Sequence, residues 1–76
     1  LKEKRTVVKS LVAKLQHKFH ISAAEVDEQD VHQTIVIGIA AVCTSHVQGD
    51  SILDHLLNYI ECSTQAQIVS VSREIL

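Results

Sequence analysis

Residues 34–43, TIVIGIAAVC, decide the fold. Nine of the ten are β-branched or small, only Gly38 thins the run, and strong turn formers do not interrupt it. An apolar stretch this short, without a polar helical face, is expected to be a buried strand over Thr34 to Cys43. Alternation sends Ile35, Ile37, Ile39 and Ala41 to one side and Val36, Gly38, Ala40 and Val42 to the other. Both sides are apolar, so each needs a cover.

Working upstream, the polar stretch Glu28 to Gln33 reads as a loop, and Ile21 to Asp27 as a second strand that this loop joins to the first. Before it, Val8, Leu11, Val12, Leu15 and Phe19 recur at spacings of three and four, which predicts an amphipathic helix over residues 1–19. Downstream, Ser45 with Gln48 three residues later forms a capping-box pattern, with Asp50 as a competing cap. Ile52, Leu53, Leu56, Leu57 and Ile60 then share one face of a helix that runs to about Glu61. After a polar turn over residues 63–67, the segment from Ile68 to Leu76 alternates as a third strand would.

The expected order is helix, strand, strand, helix, strand, in one α+β domain over residues 1–76. Two helices and three strands make a ferredoxin-like split βαβ sandwich if one more strand precedes the first helix. The first strand of that fold is expected to be missing from this chain. In the fold, helices cover one side of the sheet only. The small Gly38 and Ala40 suit close helix packing, which assigns Ile35, Ile37 and Ile39 to the open side, as the interface of a homo-oligomer or as a modest exposed patch.

Composition narrows the function. With 76 residues, one Phe, one Tyr and no Trp, the core is thin and aliphatic. No run approaches the length of a membrane span and no signal-peptide pattern is present, so the chain reads as cytoplasmic. Cys43 and Cys62 have no CxxC or Cys/His spacing and are expected as reduced, buried thiols, too far apart for a disulfide. The net charge of −2 conceals a division: residues 1–18 hold six basic residues against one acid, a net of +5, and residues 19–76 sum to −7.

The stretches LKEKRTVVKSLVAKLQHKF (1–19), SAAEVDEQD (22–30) with Gln33, VIGIAAV (36–42) and VSREIL (71–76) resemble the bacterial YlxP-like family, domain of unknown function family 503. The resemblance runs from Leu1 to Leu76 without a gap and implies a ferredoxin-like fold with a further strand before the first helix. It implies no enzyme activity. Genes of that family often neighbour those for translation initiation and ribosome maturation, which suggests a partnership with RNA or the ribosome. The chain departs from the family where His32 and Thr34 stand in place of a frequent Trp and Arg.

The candidate nucleic-acid-binding residues are Lys2, Lys4, Arg5 and Lys9. Cations in the first turns of a helix oppose the macrodipole at roughly 0.3–1 kcal/mol each. The same end of a helix attracts phosphate, so the cluster is either a solvated basic face or an anion site. Glu25, Asp27, Glu28 and Asp30 lack the glycine and ligand rhythm of a calcium loop and read as an exposed hairpin loop that a basic protein could meet. His17, His20, His32, His46 and His55 show no metal or catalytic spacing, and the chain has no glycine-rich phosphate loop. No catalytic set, metal, cofactor or small-molecule substrate is expected.

Overall fold

A computed structural model describes residues 2–64 and 67–74. It contains α1 (Lys2–Phe19), β1 (Ser22–Asp27), β2 (Val36–Ala40) and α2 (His46–Ser63), an α+β arrangement with a two-stranded antiparallel sheet. The chain divides into two compact units, Leu1–Val42 and Cys43–Leu76.

In the first unit, α1 buries Lys4, Val8, Leu11 and Leu15, a 4-3-4 spacing that keeps one stripe of the helix on one side. Leu15 is completely buried. Burying an aliphatic side chain of this size contributes about 1.5–3 kcal/mol. The helix ends at His20, whose φ of 51° lies in the left-handed region that stops α-helices. The helix packs on β1, the strand that follows it, and not on β2.

Two polar ties fix α1 to β1. Near one end Gln16 Nε2 donates to the Ala23 carbonyl at 3.1 Å; near the other, Lys4 Nζ meets Glu25 and the Glu28 carbonyl. Twelve residues of helix span about 18 Å. From Ala23 the chain advances five positions to Glu28, just past the end of β1, at most about 17 Å when extended. The two rises match, so β1 runs antiparallel to α1 along most of its length.

β1 and β2 pair with Ala23 opposite Ile39, Ala24 opposite Gly38 and Glu25 opposite Ile37. A bulge between Glu25 and Asp27 leaves Val26 as the extra residue. Residues directly opposite in an antiparallel pair share a side of the sheet. Because Glu25 reaches Lys4 on α1, Ile37 and Ile39 lie on the helix side as well. The expectation that the isoleucines take the open side is therefore corrected. The strand was apolar on both sides and its own alternation could not decide; the partner strand decides, because Glu25 needs its cation.

The open side receives Ala24, Gly38 and Val26 instead. A Cβ at Gly38 would stand 2.8 Å from a Val26 methyl, so the glycine gives the bulged valine its room. Ile35, Val36 and Ile37 are only half-buried and Ile39 is exposed, so the expected buried strand over Thr34 to Cys43 is corrected to a shorter, partly exposed one.

In the second unit, Ser45 caps α2 in extended conformation and its Oγ accepts from the Gln48 amide at 3.1 Å. Gln48 Oε1 reaches back to the amide and hydroxyl of Thr44, one residue beyond the usual capping-box partner. Asp50 does not cap; it pairs with Arg73. At the other end the Thr64 amide and hydroxyl both donate to the Ile60 carbonyl. Leu56 is the buried residue of this helix, with Ile52, Leu53, Leu57 and Ile60 half-buried. Cys43 and Cys62 are free thiols, but Cys43 is half-buried and Cys62 exposed, so their expected burial is corrected.

The third strand is also corrected as far as the structure describes it. Residues 67–74 form no strand, and residues 75 and 76 lie outside the described residues. Val69 is 87% exposed. Alternation supplies a side to bury but not a neighbour to bond, and a ladder needs both.

Candidate nucleic-acid interface

The four basic residues singled out at the start of α1 separate into two groups. Lys2, Arg5 and Lys9 are exposed, at helical spacings of three and four that place them along one side. Lys4 is not with them. Its side chain is 4% exposed and occupies the stripe of Val8, Leu11 and Leu15. It is removed from the set that could meet phosphate.

The environment of Lys4 explains its burial. Its Nζ lies 3.0 Å from Glu25 Oε2 and donates at 2.5 Å to the Glu28 carbonyl. The carboxylate contact is ionic, since its angle leaves Glu25 Oε2 without a hydrogen bond in a buried position. Charge-assisted contacts of this kind compensate the desolvation that an isolated buried ammonium would suffer.

Glu28 adopts a left-handed φ of 55°, a conformation that costs a non-glycine residue of order 1 kcal/mol or more. Its amide donates to Asp27 Oδ1 at 2.8 Å, and its carbonyl also accepts from the Val31 amide at 3.1 Å. Lys4 thus anchors the sharp turn by which the chain leaves β1.

The acidic cluster divides in the same way. Glu25 is an internal counter-ion and Asp27 holds the turn, while Glu28 and Asp30 expose their side chains in the hairpin loop. An open groove of about 590 Å³ lies between the first turns of α1 and this loop, lined by Lys2, Glu3, Lys4, Val7, His32 and Ile35. Val7 and His32 were not picked out from spacing as neighbours of the basic turn. The hairpin offered the signal for His32: a loop closing at Glu28 against Lys4 returns residue 32 to the helix start.

Elsewhere on α1, Lys18 sits 5.9 Å from the centre of the Phe19 ring. On α2, His55 Nδ1 lies 2.7 Å from the Ser51 carbonyl, four residues earlier, which makes it a local donor to the helix. No helix among the described residues is long and apolar enough to cross a membrane.

Comparison with known proteins supports the reading of the motifs. The chain is 43% identical over 61 residues to the uncharacterized protein YlxP of Bacillus subtilis (strain 168), a match that covers 80% of this chain and 66% of that relative. The chain thus spans just under two thirds of the relative's length. No solved structure matches it. The model of the family described as "Protein of unknown function (DUF503)" matches residues 1–73, and on both grounds the chain belongs to the DUF503 family.

Proposed function

We propose that the chain is a non-catalytic module that associates with RNA or the ribosome, through Lys2, Arg5 and Lys9 of α1. The observation that carries this reading is the exposed basic row itself, set against the helix dipole on a segment of net +5 in a chain of net −2. A row of cations at a helix start favours a phosphate backbone through charge and through the free amides of the first turn. The helix–strand–strand–helix order fits a single ferredoxin-like domain working in the cytoplasm.

The test is binding of the protein to RNA and to ribosomal subunits at several salt concentrations, with Lys2, Arg5 and Lys9 changed together to Ala. Loss of three phosphate contacts flattens the log–log salt slope by about 2–3 units. A triple variant that binds like its parent overturns the reading and leaves the row as a solvated face.

A second reading, a homo-oligomeric interaction module, has its support in apolar surface on both sides of the hairpin: Val26 is 57% exposed and Ile39 38%. On the open side the residues concerned are Ala24, Val26 and Gly38, not the isoleucines. Sedimentation at micromolar concentration tests it; a monomeric parent ends it.

A further inference from the structure

We draw no further inference here: the strongest candidate, the partly exposed pair Ile37 and Ile39 on the helix side of β2, is an apolar face and nothing in the structure shows what covers it.

Discussion

The two faces of α1 carry the same kind of residue to opposite ends. On one, Lys4 lies in line with Val8, Leu11 and Leu15 and is buried with them. On the other, Lys2, Arg5 and Lys9 stand in solvent. Lys4 and Arg5 are neighbours in sequence and about 100° apart around the helix. Net charge counts them alike; the structure makes one a fastener and the other a surface. A basic segment is therefore not yet a basic surface, and the distinction comes from which lysine falls on the apolar spacing.

Breaking the buried face is expected to have the largest effect. Lys4→Ala leaves Glu25 without its cation and the Glu28 turn without its anchor, a loss of about 3–5 kcal/mol for a buried pair broken on one side. Urea unfolding measures it. The double variant Lys4→Met with Glu25→Leu should recover most of that loss, because no charge is then stranded. A Lys4→Ala protein as stable as its parent would mean that the ammonium does not hold α1 to the hairpin.

Leu15→Ala is expected to cost about 3 kcal/mol, the usual range for a buried leucine reduced to alanine. Its completely buried side chain lies near the end of the helix that Gln16 ties to β1. A smaller loss than that from Lys4→Ala would rank the polar tie above the apolar contact, and the reverse would make Lys4 an accessory to the stripe. Thermal unfolding of both variants under one condition settles the order.

The assignment of Ile37 to the helix side sharpens the comparison further. Ile37 stands opposite Glu25. A carboxylate there meets a like charge, and an ammonium an opposite one, so Ile37→Glu should be less stable than Ile37→Lys by about 1 kcal/mol. Equal stabilities would place Ile37 away from the Lys4–Glu25 pair. The smallest effect is expected on the exposed face: Lys2, Arg5 and Lys9 changed together to Ala should alter unfolding stability by no more than about 0.5 kcal/mol per site. A cooperative loss beyond that would mean that the exposed row has hidden structural work.

Much of this was legible in the sequence where one signal sufficed. The stripe of α1 needs only the spacing of Val8, Leu11 and Leu15, and the start of α2 needs only Ser45 and Gln48. The burial of Lys4 required reading the stripe one step further back, four residues before Val8, and matching it to an acid on the inner side of β1. Ile37 was harder, because an apolar residue on a doubly apolar strand has no preferred side until Glu25 is placed. The segment 67–74 shows the converse: Ile68, Val69 and Val71 have the pattern of a strand, but hydrogen-bonded pairing is a property of two segments.

The bulge at Val26 has a consequence for how this sequence can vary. Val26 and Gly38 share a volume that holds one branched side chain and not a second beside it. A change of Gly38 to any larger residue obliges Val26 to turn aside or shrink. A relative that carries a side chain at position 38 is then expected to carry a smaller one at 26, or to lack the extra residue of the bulge, so the two positions should drift together across the family even though twelve residues separate them in the chain.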